Sequence, residues 1–104
     1  MLSVRYAPAI ESDLVEAALR YNSRQPGLGL RLLEDFRRTA ERIAAFGQVH
    51  RQVIADYRRF HFTDFPYTIY FVVHGSVATV YLVIDATRDP ALILHMLRAR
   101  RSAS

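Results

Sequence analysis

The amino-acid sequence predicts an α+β fold: a short strand, a two-helix hairpin, a three-stranded antiparallel meander and a short C-terminal helix. Apolar residues recur with helical spacing between Pro8 and Gly47, and from residue 56 to residue 85 they alternate with polar residues as in strands. An aspartate–proline pair then marks the start of a last helix. Because the sequence contains no internal repeat and no long linker, we expect residues 1–104 to form a single domain.

The first half of the chain contains one predicted strand and two predicted helices. Residues 2–6 alternate apolar and polar side chains, which predicts the strand. Pro8 suits the first turn of a helix, where its missing N–H needs no partner, and this helix should end before Pro26. The next helix carries one apolar face and should end at Gly47. Two helices joined by so short a loop should form an antiparallel hairpin.

Three strands are predicted next, at residues 56–63, 67–74 and 77–85. The two-residue loop Gly75-Ser76 favours a type II′ turn, which sets the register of the last two strands. The side chains and pairs expected to face the helices are Phe60, Phe62, Val73–Ala78, Phe71–Val80, Ile69–Leu82 and Tyr67–Ile84. The pairs expected on the opposite face are Val72–Thr79, Tyr70–Tyr81 and Thr68–Val83.

The C-terminal helix is predicted from its N-terminal cap. Asp89 is placed to accept a hydrogen bond from the first turn, and Pro90 suits the first helical position. Residues 91–101 then have one apolar side, and the helix ends in three arginines, Arg98, Arg100 and Arg101.

The composition limits the classes of function. All fourteen basic residues are arginine, and the net charge is +4, which favours an acidic partner such as nucleic acid or an acidic peptide. The sequence has no cysteine, and its four histidines lack the spacing of metal ligands, so we expect neither a metal nor a cofactor. Since no apolar run reaches the length of a membrane span or a signal peptide, we expect a cytoplasmic protein.

One face of the predicted sheet is a candidate binding surface, because Arg59 and His61 should point away from the helices. Guanidinium groups beside aromatic rings suit the binding of a nucleic-acid strand, with its phosphates, or of an acidic, partly apolar peptide. In an alternative interpretation the C-terminal helix covers this face, and Tyr70 and Tyr81 belong to the core. The residues expected to contact a partner are Arg5, Arg59, Tyr70, Tyr81, Arg88, Arg98, Arg100 and Arg101.

The order of elements, together with several local motifs, resembles the RelE/ParE superfamily of bacterial toxins. The resemblance implies the RelE/ParE fold and a growth-inhibiting toxin of a type II toxin–antitoxin system. It also implies a hetero-oligomer in which an antitoxin wraps the toxin with an acidic, flexible segment. The motifs that carry the resemblance are Ala9…Asp13-Leu14 with Ala17, Pro26-Gly27-Leu28-Gly29, Arg58-Arg59-Phe60…Phe65-Pro66-Tyr67-Thr68-Ile69-Tyr70 and Thr87-Arg88-Asp89-Pro90.

The superfamily implies two alternative targets. ParE-like members poison DNA gyrase without a nuclease centre, whereas RelE-like members cut mRNA on the ribosome. The segments Phe65-Pro66-Tyr67 and Arg88-Asp89-Pro90 are similar to ParE-like proteins. The chain departs from the RelE-like pattern because it has no lysine and no tyrosine after Arg88. We therefore expect a gyrase inhibitor that is not an enzyme.

Two alternatives to gyrase inhibition follow from the same resemblance. In the first, the protein is a ribosome-dependent endoribonuclease. Arg59 and Arg88 would then hold the scissile phosphate, and His61 or His95 would transfer protons. In the second, the protein binds an antitoxin but has lost toxicity.

Overall fold

The computed structural model describes residues 1–103 as a four-stranded sheet with helices on both faces. The strands are β1 (Ser3–Tyr6), β2 (Arg58–His61), β3 (Tyr67–His74) and β4 (Val77–Asp85). The helices are α1 (Ile10–Arg24), α2 (Leu28–Phe46), a 3₁₀ turn (Gly47–Val49) and α3 (Pro90–Ala103). The predicted α+β class and order of elements are confirmed.

The sheet has the strand order β1-β4-β3-β2, so β1 and β2 are its two edges. β1 pairs with β4 in parallel, and the other pairs are antiparallel. β2 is shorter than the predicted strand 56–63, because the residues before it form a small turn. Ala55 has a φ of 48° there, and Ile54 and Tyr57 pair across it. In the part of the chain that the structure describes, no helix is both long and apolar enough to cross a membrane.

The α1–α2 hairpin covers one face of the sheet. A Cβ atom on Gly29 would lie 2.7 Å from the carbonyl oxygen of Ala18, so only glycine allows α2 to approach α1 this closely. The last residue of α2 is Phe46, and Gly47 is its C-cap, as predicted. The buried residues of this hairpin-side core are Leu2, Ala7, Ile10, Ala17, Leu32, Ile43, Phe60, Phe62, Tyr67, Ile69, Phe71, Ala78, Val80 and Val83.

A buried aspartate joins the hairpin to the β2–β3 loop. The carboxylate of Asp35 is fully buried and accepts the backbone N–H groups of Thr63, Asp64 and Phe65 at 3.0, 2.7 and 3.1 Å. These three hydrogen bonds offset the cost of burying the carboxylate, and they hold the loop against α2.

The β3–β4 register follows the prediction only near the turn. Gly75 has a φ of 61°, as the first residue of a type II′ turn requires, and the pairs Val73–Ala78, Val72–Thr79 and Phe71–Val80 are confirmed. The register shifts between Tyr70 and Phe71. The pairs predicted beyond that point are wrong, and the observed ones are Tyr70–Leu82, Ile69–Val83, Thr68–Ile84 and Tyr67–Asp85.

The shift is a β-bulge in which Tyr81 is the additional residue of β4. An extra residue reverses the alternation of side chains along the rest of the strand. Val83 therefore packs in the hairpin-side core, while Leu82 and Ile84 turn toward the opposite face. That face becomes apolar enough to be covered by a helix.

Candidate functional site

The sheet face opposite the hairpin is covered by α3 and is not an open binding surface. Ile93 and Leu97 of α3 pack on it and are 4% and 0% exposed. Tyr70 is 3% exposed, so the expectation that it contacts a partner is wrong, and the alternative in which its ring is core is correct. The buried residues of this α3-side core are Tyr57, Tyr70, Val72, Leu82, Ile84, Ile93 and Leu97.

Tyr81 and Arg101, two further predicted partner contacts, pack against each other at the rim of the α3-side core. The Arg101 guanidinium lies 5.3 Å from the ring centroid of Tyr57 and 5.8 Å from that of Tyr81. It also donates to both carboxylate oxygens of Asp56, at 2.7 and 2.9 Å. This hydrogen bonding lowers the pKa of Asp56 and raises the pKa of Arg101. Arg101 therefore anchors the end of α3.

Arg100, predicted to bind a partner, instead joins α3 to α1 and β4. Its guanidinium donates to Asp13 at 2.6 Å and to the carbonyl oxygen of Tyr81 at 3.0 Å. Asp13 also accepts the backbone N–H of Val83 at 3.0 Å. β1 pairs with β4 only as far as Val80, so these two side chains bond to backbone groups of β4 beyond the end of β1, where no strand pairs with them. The prediction for Arg100 is corrected on this ground.

The remaining predicted site residues are exposed, but they do not all lie at one site. Arg59 and His61 of β2 line one hollow of about 290 Å³, which we call the β2 hollow. Arg88 lines a different hollow of about 250 Å³ beside the end of β4, the β4 hollow. Within residues 1–103, no group of histidine and acidic side chains could hold a metal ion. Three predicted site residues are exposed and line neither hollow: Arg5, His95 and Arg98.

The β4 hollow contains charges of both signs. Arg20 donates to the hydroxyl of Tyr67 at 2.7 Å, and burial raises the pKa of the Tyr67 phenol. Asp85 accepts the backbone N–H and the hydroxyl of Thr87 at 2.8 and 2.7 Å, and these hydrogen bonds lower the pKa of the Asp85 carboxyl. Arg88 therefore lies among acids and a second arginine, and its charge is partly balanced by the protein itself.

A groove along β1 and α2, the β1 groove, is a surface that the sequence interpretation missed. It is an apolar hollow of about 360 Å³ on the free edge of the sheet. Tyr6, in its wall, is 47% exposed and packs against Phe36 with ring centroids 5.8 Å apart. The sequence signal was an aromatic residue, Tyr6, at the end of the short first strand. The lining residues are Val4, Tyr6, Phe36, Arg37, Ala40, Glu41 and Ala44.

Comparison with known proteins identifies the fold. No protein-family model and no curated protein matches the sequence. A solved structure described as "Chromosomal ParDE TA system from P. aeruginosa" contains a chain that is 15% identical, with a TM-score of 0.72. The match covers 82% of this chain and 96% of that chain. The protein therefore has the same fold as a chain of that toxin–antitoxin system.

Proposed function

We propose that this protein is the toxin of a type II toxin–antitoxin module and that a cognate antitoxin neutralises it. The observation that carries this proposal is the fold likeness to a chain of the ParDE system, which covers 96% of that chain. The net charge of +4 supports it, because an acidic antitoxin segment would be attracted to this surface. The proposed complex is a hetero-oligomer in the cytoplasm.

The β1 groove is the surface that suits the antitoxin best. β1 is an edge strand whose outer backbone groups can pair with an added strand, and the groove beside it is apolar. Arg5 is exposed on the same strand, and its guanidinium group can donate two hydrogen bonds to an acidic side chain. A flexible segment that is partly apolar and partly acidic would therefore match both features of this edge.

DNA gyrase is the target that we propose, and the protein is then not an enzyme. RNA cleavage requires groups that hold the phosphate and groups that transfer protons around one bond. The two arginines expected to hold the scissile phosphate do not share a site, because Arg59 lines the β2 hollow and Arg88 lines the β4 hollow. This separation favours gyrase inhibition over the endoribonuclease alternative.

The experiment expresses the protein alone and together with the product of the neighbouring reading frame. Growth arrest that the neighbour relieves is expected. The purified protein should then inhibit supercoiling by gyrase and leave translated mRNA intact. Cleaved transcripts with normal supercoiling would overturn the gyrase proposal, and unimpaired growth would indicate a binding module without toxicity.

The antitoxin contact has its own test, which uses Tyr6→Ala. Removing this exposed ring should weaken antitoxin binding about tenfold, since aromatic anchors carry much of the energy of an interface. Leu92→Ala, which truncates a 39% exposed apolar side chain on α3, is the matched control and should bind as the wild type does. Equal weakening by both variants would contradict the placement of the antitoxin in the β1 groove.

A further inference from the structure

The β2 hollow brings together basic side chains from three parts of the chain. Arg42 comes from α2, His50 and Arg51 from the segment after the 3₁₀ turn, and Arg59 and His61 from β2. The hollow also contains Phe60 and Val53, and among the residues that the structure describes no carboxylate lines it. Its volume is about 290 Å³. It therefore combines three guanidinium groups and two imidazole rings in one small space.

Within residues 1–103, the arginines of the β2 hollow lack the acidic partners that several arginines elsewhere in the protein have. Arg37, Arg38, Arg100 and Arg101 all form ion pairs with acids. Within residues 1–103, Arg42, Arg51 and Arg59 have no acid within ion-pair distance. The two acids nearest in sequence to β2 are paired elsewhere: Asp56 with Arg101 at 2.7 Å and Asp64 with Arg38 at 3.0 Å.

The cluster is destabilising by itself, because like charges in one hollow repel each other. An anion in the hollow would remove that repulsion.

Two members of the cluster are held in place by contacts that do not neutralise them. Arg42 lies over the ring of Phe60, 5.0 Å from its centroid, and its Nη1 donates to the carbonyl oxygen of His61 at 3.4 Å. Nδ1 of His61 lies 2.8 Å from the hydroxyl of Thr68. Their hydrogen-bonding groups are thereby partly positioned before any ligand binds, which reduces the entropy lost on binding.

We propose that the β2 hollow binds a phosphate group. Guanidinium groups that line one hollow from three parts of the chain suit a compact anion with several acceptor oxygens. An extended acidic peptide would instead require a row of basic groups along a strand. Base stacking is not part of the site, because Phe60 is 5% exposed and covered by Arg42 and by the His50 ring, whose centroid is 4.0 Å away. The phosphate would belong either to the end of a nucleic-acid strand or to a small phosphate ester.

The first test uses inorganic phosphate as the probe, titrated at constant ionic strength against chloride and followed by NMR of the arginine side chains. Phosphate should shift the signals of Arg42, Arg51 and Arg59 and leave those of Arg5 and Arg98 unchanged. The double variant Arg51→Ala/Arg59→Ala should weaken binding about tenfold. Both side chains are exposed and make no hydrogen bond or ion pair within residues 1–103, so this variant should remain folded.

The matched control is Arg5→Ala/Arg98→Ala, which removes the same charge from exposed positions outside the hollow and should bind phosphate as the wild type does. Equal loss in both double variants, or equal shifts with phosphate and chloride, would overturn the proposal. A short oligonucleotide with a 5′-phosphate, its 5′-hydroxyl counterpart and a nucleoside monophosphate distinguish the two sources of phosphate. Neither measurement contains gyrase or an antitoxin, and the β1 groove lies on the opposite edge of the sheet, so failure of this proposal can be distinguished from failure of the proposed function.

Discussion

The two faces of the sheet are covered by helices that are held in different ways. The α1–α2 hairpin packs through a continuous apolar core that includes Phe71, Ile69 and Leu32, all 0% exposed. α3 contributes only Ile93 and Leu97 as buried side chains, and ion pairs of Arg100 and Arg101 hold its C-terminal end. The hairpin is thus attached mainly by apolar burial, whereas α3 also depends on charge.

The difference shows how a single helix can cover an apolar face. One helix buries less apolar area than a two-helix hairpin, so polar contacts supply a larger share of the attachment of α3. Arg100 is paired with Asp13 in a partly buried position, with side chains 18% and 11% exposed. Arg101 and Asp56 are 41% and 44% exposed, so solvent screens that pair more. Both helices of the hairpin also contribute an aspartate that binds backbone: Asp35 of α2 accepts three N–H groups of the β2–β3 loop, and Asp13 of α1 accepts the N–H of Val83 in β4.

The largest effect is expected from cavities in the two cores. Phe71→Ala should lower the free energy of unfolding by about 4 kcal/mol and Leu97→Ala by about 3 kcal/mol, because each removes a fully buried side chain. The two variants should also differ in which part of the structure loosens. Leu97→Ala should release α3 from the sheet while the hairpin stays packed. Denaturant unfolding measures the free energies, and amide hydrogen exchange of α3 measures the release. Protection of α3 that is unchanged in Leu97→Ala would contradict the comparison.

Removal of the buried carboxylate of Asp35 should have the next largest effect. Asp35→Ala leaves three backbone N–H groups without their acceptor and should cost about 3 kcal/mol. Glu34→Ala is the control on the same helix, since Glu34 is exposed and bonded only to Arg37, and its unfolding curve should stay close to that of the wild type. Similar curves for both variants would indicate that Asp35 does not hold the β2–β3 loop.

The Asp13–Arg100 pair should contribute a smaller coupling between α3 and α1. A double-mutant cycle of Asp13→Ala and Arg100→Ala should give an interaction free energy of about 2 kcal/mol, because both groups are partly buried and share hydrogen bonds with β4. Equilibrium unfolding of the four proteins at one salt concentration measures it. Simple additivity of the two single variants would show that the pair does not fasten α3.

The smallest effect concerns pH and the exposed pair of Asp56 with Arg101. The hydrogen bond from Arg101 holds the folded-state pKa of Asp56 below its ordinary value of 3.8. Its stabilisation is therefore complete above pH 3.8 and is lost as the pH falls through the lower folded-state pKa. The stability difference between the wild type and Asp56→Asn should shrink between about pH 5 and pH 2. A difference that stays constant across this range would exclude the proposed linkage.

Much of the fold is predictable because it depends on local patterns. Helical and strand periodicity indicated the order of elements. Gly75 allowed the turn, and Asp89, whose carboxylate accepts the N–H of Ala91 at 2.9 Å, capped α3. Alternation also placed Arg59 and His61 away from the hairpin-side core, and both are exposed. Each of these features involves residues close together in the chain, so the local sequence pattern is sufficient to predict it.

The tertiary structure alone decided the bulge at Tyr81, the cover formed by α3 and the role of Arg100. Counting residues along a strand cannot detect an extra one, and here the bulge is held by partners far away in the chain. Asp13 bonds to Val83 across 70 positions, and Arg100 bonds to Tyr81 across 19. The bulge turns Leu82 and Ile84 onto the second face, which then requires a helix to shield it from water. The sequence determined which segments form helices and strands, whereas long-range hydrogen bonds and burial decided which arginines remained available for a partner.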